Sequence, residues 1–432
     1  MSSESVKTYD FPPNFVWAVA TSAYQIEGAA SEDGRGPSIW DMFSKAGKSK
    51  NHTGCVACDS YHNWKRDIEM IKELGVQQYR FSISWPRILP DGTLKTINQK
   101  GVEYYKNLIA GLIEAGIEPN VTLFHWDLPQ SLQDKGGFIN PKIVNYYAEY
   151  CRFCFQTFGD QVKLWATFNE PIVFTLLGHS GYPFHHAPGG FMEHSDWIFY
   201  LTNHHILLAH AKAVNIYRNE FQAVQKGKIG IVLVIGDFYP ATKSAEDVEA
   251  ADNMREFFLG LYAHPILKGD YPDLVKSRVW NVCQKQGRVT SRLPKFTPEE
   301  IQALKGSADF IGVNYYFSFR IRALTPEESD VFKGDARKID IGGHFEEWMS
   351  SHPEGCRTAL ARFKQDYGDI PVMITENGVK DSLNQKSELE DDERIDYIQD
   401  HLIAVHEAIT EDKVNVIGYT YWALMDNFEC GF

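Results

Sequence analysis

The chain has 432 residues, of which 44% are hydrophobic and 23% are charged, and this composition is typical of a soluble globular protein. Its formal net charge of −14 at pH 7 argues against nucleic-acid binding, and no apolar stretch approaches the ~20 residues of a membrane span. The start of the chain lacks the apolar segment of a secretory signal, and its seven cysteines form no disulfide framework, so we expect a cytoplasmic protein.

Apolar runs alternate with helical patterns along the chain. Strands are predicted at residues 15–25, 78–88, 121–128, 164–169, 228–238, 309–316, 370–375 and 414–424. Helices are predicted at residues 60–74, 98–115, 141–158, 201–222, 252–267 and 393–409, with a further helix start at 297. The charged stretch at 322–345 is predicted to be a long insertion outside this alternation of strands and helices.

Strands that alternate with helices form right-handed βαβ units and a parallel sheet. Eight such strands are the number that closes a (β/α)8 barrel, the TIM barrel of the α/β class. An open doubly wound sheet is the alternative, and the count of eight argues against it. We therefore predict that residues 1–432 form one barrel domain.

Polar residues stand at or near the carboxyl ends of the predicted strands, which is where the active site of such a barrel lies. They are Gln25, Arg80, His125, Asn169, Glu170, Asn314, Tyr316 and Glu376, followed by residues 422–429. Because all strands of a barrel run in one direction, we expect every one of these side chains to face a single cleft.

Two of these residues, Glu170 and Glu376, are carboxylic acids at the ends of the fourth and seventh strands. Glycosidic bonds are usually cut by a pair of Asp or Glu residues that flank the anomeric carbon. We expect the two strands to stand opposite one another, so that the carboxyl groups approach a sugar from opposite sides. Their separation, about 5–5.5 Å for retention or about 6.5–9.5 Å for inversion, is left open by the sequence.

The surroundings of the two carboxyl groups differ. Arg80 and Tyr316 can both donate to Glu376, which favours the ionised form that a nucleophile needs. Glu170 stands among aromatic residues and a proline, and such an apolar setting raises the pKa of a carboxyl group. We therefore expect Glu376 to be the nucleophile and Glu170 the acid/base.

Motifs along almost the whole chain resemble those of retaining family 1 β-glycosidases. The two that carry the carboxylates are Thr167-Phe168-Asn169-Glu170-Pro171 and Ile374-Thr375-Glu376-Asn377-Gly378. The others are Phe15-Val16-Trp17-Ala18, Tyr24-Gln25-Ile26-Glu27-Gly28, Tyr79-Arg80-Phe81-Ser82-Ile83-Ser84-Trp85-Pro86-Arg87, His125-Trp126-Asp127-Leu128-Pro129 and Asn314-Tyr315-Tyr316. The chain looks most like animal cytosolic β-glucosidases, with relatives among lactase-like and klotho-like proteins.

The resemblance implies a role for each matching residue. Hydrogen bonds to the hydroxyl groups of the terminal sugar are expected from Gln25, His125, Asn169 and Glu429. The other residues assigned to substrate are Trp126, Asn314, Tyr316, Trp348 and Trp422. Trp422 would stack beneath the sugar ring, Trp126 would line the same pocket, and Trp348 would form a wall of the leaving-group site. For Arg80, His125 and Trp348, a purely structural role is the alternative.

The chain departs from the family after Glu429. Where the family continues with a Trp that contacts the sugar, this sequence has Cys430, followed by Gly431 and Phe432. A barrel βα unit takes on the order of 30 residues, so we expect the last helix to be missing. The outer faces of the first and eighth strands would then meet water.

The resemblance predicts an exo-acting retaining β-glucosidase with a small-molecule substrate and no cofactor. β-Galactosides and β-fucosides are the further substrates that it suggests. A klotho-like barrel that binds a glycan or a protein without catalysis is the main alternative. An endo-acting glycanase is another. Histidines at 185, 186, 204, 205 and 210 could be metal ligands, but their spacing matches no metal-binding motif. We expect His185, His186, His204, His205 and His210 to be solvated.

Overall fold

Eight parallel strands form a closed barrel in the computed structural model, which describes residues 8–50, 52–180, 186–332, 335–380 and 390–429. The barrel strands are β1 (Val16–Ala20), β2 (Gln78–Ser82), β3 (Glu118–Thr122), β4 (Leu164–Asn169), β5 (Lys228–Val234), β7 (Ile311–Asn314), β10 (Val372–Asn377) and β11 (Val416–Trp422). Around the ring their order is β1-β11-β10-β7-β5-β4-β3-β2. The predicted (β/α)8 barrel is confirmed.

Three further strands lie outside the barrel, and helices cover its outer surface. The extra strands are β6 (Asp237–Pro240), β8 (Ser318–Ala323) and β9 (Gly343–Met349). The α-helices, numbered α1 to α17 in chain order, are Ala23–Ile26, Ile39–Lys45, Ser60–Leu74, Trp85–Ile88, Gln99–Glu114, Gln130–Gln133, Ile143–Phe158, Pro171–His179, Ser195–Ile216, Gln222–Gln225, Ala245–Arg255, Leu261–Lys268, Asp273–Lys285, Pro298–Leu304, Ala336–Ile341, Pro353–Tyr367 and Asp392–Thr410. None of the helices in these described ranges is long and apolar enough to cross a membrane.

The barrel strands are buried because helices pack on their outer faces. Every residue of β2, β7 and β10 is buried. A continuous cluster of aliphatic and aromatic side chains joins the strands to the helices around them. A second, smaller cluster lies where α11 packs against β6 and β8.

The register of the barrel changes beside both candidate carboxylates. Between β10 and β7 it shifts between Ile374 and Glu376, and between β4 and β5 it shifts between Ala166 and Asn169. Such irregularities bend a strand and redirect its side chains, and they are common next to active sites.

Several predicted strands are too long. The first ends at Ala20, and α1 follows it, so Gln25 lies on a helical turn; the second ends at Ser82 and is followed by α4. Pro86 in the first turn of α4 explains the second break, because proline is suited to that position and cannot donate within a sheet. The fifth predicted strand is two strands, β5 and β6, and the charged insertion contains α15 and parts of β8 and β9.

Two other expectations need correction. In the ring, β5 and β7 stand between β4 and β10, so the strands that carry the carboxylates are three positions apart and not opposite. The outer face of β1 is only partly open, since Trp17 is half-buried against Phe11 and Phe15. Beyond β11, the described residues 423–429 form no helix and fold back to the end of β1, where the Leu424 N–H donates to the Ala20 carbonyl at 3.1 Å.

Candidate active site

Glu170 follows the last residue of β4 in a strained backbone conformation. Its φ of 44° lies in the left-handed region, which costs an L-residue roughly 1–2 kcal/mol. Its N–H donates to the Val232 carbonyl at 3.0 Å, and the N–H of Asn169 donates to the Phe124 carbonyl at 2.9 Å. Pro171 then begins α8. Strand β5 and the segment that follows β3 thus hold the backbone in the turn that leaves the Glu170 side chain at the carboxyl end of the barrel.

Glu376, on β10, is held by two hydrogen-bond donors. Arg80 Nη1 donates to Glu376 Oε1 at 2.6 Å, and the Tyr316 hydroxyl donates to Glu376 Oε2 at 3.0 Å. Arg80 is fully buried, and its Nη2 also donates to Asn169 Oδ1 at 2.6 Å. The predicted donation of Arg80 and Tyr316 to Glu376 is therefore confirmed.

Asn314, at the end of β7, bridges the two halves of the site. Its Nδ2 donates to Glu170 Oε1 at 2.7 Å, and its side chain also interacts with Glu376. Glu170 and Glu376 therefore share one amide neighbour, which places both carboxyl groups in the same site.

The two carboxyl groups differ in their electrostatic surroundings. Burial, reinforced by the negative charge of Glu376, raises the pKa of Glu170 to about 8. Burial also raises the pKa of Glu376, but the charge and hydrogen bond of Arg80 and the hydroxyl of Tyr316 oppose this rise. Glu376 is consequently the more acidic of the two, and Glu170 keeps its proton at neutral pH.

The geometry is matched by known proteins. Residues 7–431 fit the profile of Glycosyl hydrolase family 1. The chain is 42% identical to Myrosinase 1 of Brevicoryne brassicae over 98% of this chain and 91% of that protein. It is 43% identical to lactase/phlorizin hydrolase of Homo sapiens over 97% of this chain and 22% of that protein. A mutant rice β-glucosidase in a covalent complex with Glc superposes with a TM-score of 0.90 at 37% identity, covering 98% of this chain and 91% of that one.

The chain belongs to glycosyl hydrolase family 1. Its relatives over almost its whole length include β-glucosidases at 42–45% identity, so it is an enzyme, a glycoside hydrolase of the β-glucosidase type. The non-catalytic alternative has no support, because Glu170 and Glu376 are both present with their partners in place.

Most residues assigned to the sugar lie at the same end of the family 1 barrel. His125 Nε2 is hydrogen-bonded to Asn169 Nδ2 at 3.1 Å, and its ring stacks on that of Trp422 with centroids 5.6 Å apart. Trp126 has a left-handed φ of 75° and donates its indole N–H to the Asn169 carbonyl at 2.9 Å. The Trp422 indole donates to Glu429 Oε1 at 3.4 Å. These contacts place the five residues in one connected group.

Gln25 is buried and anchors the segment that follows β11. Its Nε2 donates to Asn427 Oδ1 and to the Phe428 carbonyl, both at 2.8 Å, and its Oε1 accepts from the Ser22 hydroxyl. Phe428 packs edge-on against the Tyr24 ring, with centroids 5.6 Å apart. The Gln25 amide thus ties the segment that carries Glu429 to α1, the helical turn that follows the first strand.

Trp348 stands apart from the other predicted residues. It lies on β9 of the small sheet and is 54% exposed. Its ring stacks on Phe317, with centroids 5.1 Å apart, and Phe317 directly follows Tyr316. Trp348 is therefore connected to the site through one intervening ring, and its place in a leaving-group wall stays a prediction.

The expectation of solvated histidines is wrong for those that the structure describes. His186, His204, His205 and His210 are all buried, and His185 lies outside the described residues. Those at 204, 205 and 210 lie on α9, a helix packed between α7, α8 and α14. In the described ranges, no group of three or more His, Cys, Asp or Glu residues could hold a metal ion.

Three contributors to the site were not identified from the sequence. Thr375 donates its hydroxyl to Asn314 Oδ1 at 2.7 Å. The Asn377 amide donates to the Tyr315 carbonyl at 2.7 Å and so ties β10 to the residue after β7. His186 packs its ring against Trp126, with centroids 6.0 Å apart. Thr375 and Asn377 flank Glu376 in the quoted motif, which was the available signal, whereas nothing near His186 indicated its position.

Proposed function

We propose that this enzyme is an exo-acting β-glycosidase that hydrolyses β-D-glucosides, and also β-galactosides or β-fucosides, with retention of configuration. The observation that carries the proposal is the unequal surroundings of the two carboxyl groups. Arg80 and Tyr316 stabilise the ionised form of Glu376, while Glu170 is a buried acid next to that charge.

The reaction follows from this difference in two displacement steps. In the first, the Glu376 carboxylate attacks the anomeric carbon, the glycosidic C–O bond breaks, and Glu170 gives its proton to the leaving oxygen. In the second, Glu170 takes a proton from water, the water oxygen bonds to the anomeric carbon, and the ester bond to Glu376 breaks. The sugar leaves with its original configuration, and both carboxyl groups return to their starting states.

The surrounding residues hold the sugar and the reacting groups. His125, Asn169 and Glu429 supply polar atoms for its hydroxyl groups, and Trp422 offers an aromatic face to its ring. Arg80 keeps Glu376 ionised before attack and remains paired with it when the ester forms. The stacked rings of His125 and Trp422 fix the orientation of this surface before the substrate arrives.

The test is the intact mass of the protein after exposure to a 2-fluoro-β-glucoside with a good leaving group. We expect a stable single-sugar adduct that peptide mapping places on Glu376. Folded protein that cleaves an ordinary aryl β-glucoside with inversion, seen by NMR of the first-formed sugar, would contradict the retaining mechanism. Folded protein that binds glucosides without adduct or turnover would contradict catalysis itself.

We also propose a cytoplasmic location. The six described cysteines are all free, four of them buried, which agrees with a reducing compartment. Fractionation of cells that express the tagged protein tests this proposal, with recovery in the secreted fraction as the contrary outcome.

A further inference from the structure

The amide of Asn314 has its orientation determined by three neighbours. Its Nδ2 faces two acceptors, Glu170 Oε1 at 2.7 Å and Asn169 Oδ1 at 3.3 Å. Its Oδ1 faces the Thr375 hydroxyl at 2.7 Å. Asn169 Oδ1 also accepts from Arg80 Nη2, and an amide oxygen can only accept, so the NH2 group of Asn314 must lie on the side of Asn169 and Glu170. The Thr375 hydroxyl must then be the donor to Oδ1.

Gly312 provides the space that this contact needs. A side-chain carbon at position 312 would lie 2.9 Å from Thr375 Cγ2, 3.0 Å from Thr375 Oγ1 and 2.8 Å from Val232 Cγ2. The backbone of Gly312 is not in the left-handed region, so the reason for glycine is steric and not conformational. Because Gly312 and Asn314 are two residues apart on β7, they lie on the same face of that strand.

Two consecutive residues of β10 therefore act at the two carboxyl groups of the site. Glu376 carries one of these carboxyl groups itself. Thr375 donates to Asn314, which in turn donates to the other carboxyl group, that of Glu170. The shift in register between Ile374 and Glu376 occurs at this point of the strand, where side chains depart from strict alternation.

We propose that Thr375 is a positioning residue for the acid/base Glu170, acting through the Asn314 amide in space that Gly312 leaves free. The inference rests on the proposed function. Without the hydroxyl, Asn314 Oδ1 loses the one donor that it has among the described residues, and the half-turned amide, which presents Oδ1 to the protonated Glu170, becomes more populated. The carbonyl oxygen then competes for the proton that Glu170 delivers to the leaving group.

The test is Thr375→Val, which replaces the hydroxyl with a methyl group of similar size. The kcat/KM for aryl β-glucosides reports the first displacement, and protonation by Glu170 matters there only when the leaving phenol is weakly acidic. We expect the variant to lose about tenfold in kcat/KM on unsubstituted phenyl β-glucoside, part of the 10²–10⁴-fold that a general acid contributes. On 2,4-dinitrophenyl β-glucoside, whose leaving group needs no proton, we expect a change of less than about twofold.

Three further variants separate positioning from structure. Thr375→Ser keeps the hydroxyl and should restore most of the activity on the poor substrate. Gly312→Ala pushes the Thr375 side chain and should give the same leaving-group dependence by an independent route. Thr122→Val is the matched control, because this buried threonine of β3 has a hydroxyl with no partner among the described residues, and we expect no dependence on the leaving group.

An equal loss on both substrates in Thr375→Val and Gly312→Ala would overturn the inference and assign Thr375 a structural role. Unchanged activity on both substrates would overturn it as well. Failure of the proposed function looks different, since the unmodified enzyme would then either hydrolyse neither substrate or release the sugar with inverted configuration.

Discussion

Replacement of Arg80 by methionine tests the electrostatic argument most directly. Arg80 is fully buried and pairs with Glu376 at 2.6 Å, so Arg80→Met leaves a buried carboxyl group without its counter-charge. Removing one partner of a buried ion pair costs about 3–5 kcal/mol. With an unfolding entropy of about 2.1 cal/mol/K per residue, or about 0.9 kcal/mol/K for 432 residues, this corresponds to a fall in Tm of about 3–6 °C.

The loss of stability should depend on pH in a defined direction. Without Arg80, burial raises the pKa of Glu376 further above its value in the unfolded chain. A group whose pKa is raised by folding contributes stability at low pH, and that contribution disappears as pH rises through the folded-state pKa. The Tm difference between the unmodified enzyme and Arg80→Met should therefore be small below about pH 4.3 and grow as pH rises. Differential scanning calorimetry across this range measures it.

The kinetic consequence concerns the acidic limb of the pH profile of kcat/KM, which reports ionisation of the nucleophile. An opposite charge within about 4–6 Å lowers a carboxyl pKa by about 1–3 units, so the limb should move up by about that amount in Arg80→Met. Arg87→Met is the control, because Arg87 is equally buried and pairs with Glu27 at 2.7 Å. It should lose comparable stability with its acidic limb unmoved. An unmoved limb in Arg80→Met, together with the lower Tm, would refute the role assigned to Arg80.

Four further outcomes are expected. Glu376→Gln should form no sugar adduct with a 2-fluoroglucoside. Glu170→Gln should form the adduct from a dinitrophenyl donor and release the sugar slowly. The intact mass of each variant, followed over time, measures both outcomes. In the unmodified enzyme kcat/KM should fall above about pH 8, because Glu170 then loses the proton it donates; a plateau to pH 10 would contradict this assignment. Trp348→Ala should leave the Tm within roughly 1 °C because the side chain is largely exposed, and should raise KM for aryl glucosides more than for methyl glucoside if Trp348 borders the leaving group. Dialysis against EDTA should leave kcat unchanged, and a loss that Mg²⁺ or Zn²⁺ restores would reveal a metal requirement.

The barrel and its principal residues could be predicted because each rests on a short stretch of chain. Apolar runs of strand length, separated by helical patterns, indicate parallel strands, and their number indicates closure. A carboxylate at the end of such a run must lie at the catalytic rim, which located Glu170 and Glu376 before any contact was known. Boundaries were less accurate, because short helices such as α1 and α4 continue an apolar run without changing its composition.

Tertiary structure decided how these residues act on one another. The pairing of Arg80 with Glu376 joins positions 296 residues apart, and that of Asn314 with Glu170 joins positions 144 apart. The order of strands places β7, which carries Asn314, between the strands of the two carboxylates. The register shift in β10 lies where Thr375 contacts Asn314 and Glu376 contacts Arg80. Such contacts depend on which elements become neighbours when the sheet closes. Local sequence determines the period and direction of an element, whereas its neighbours, its register and the burial of its polar groups follow from packing across the whole chain.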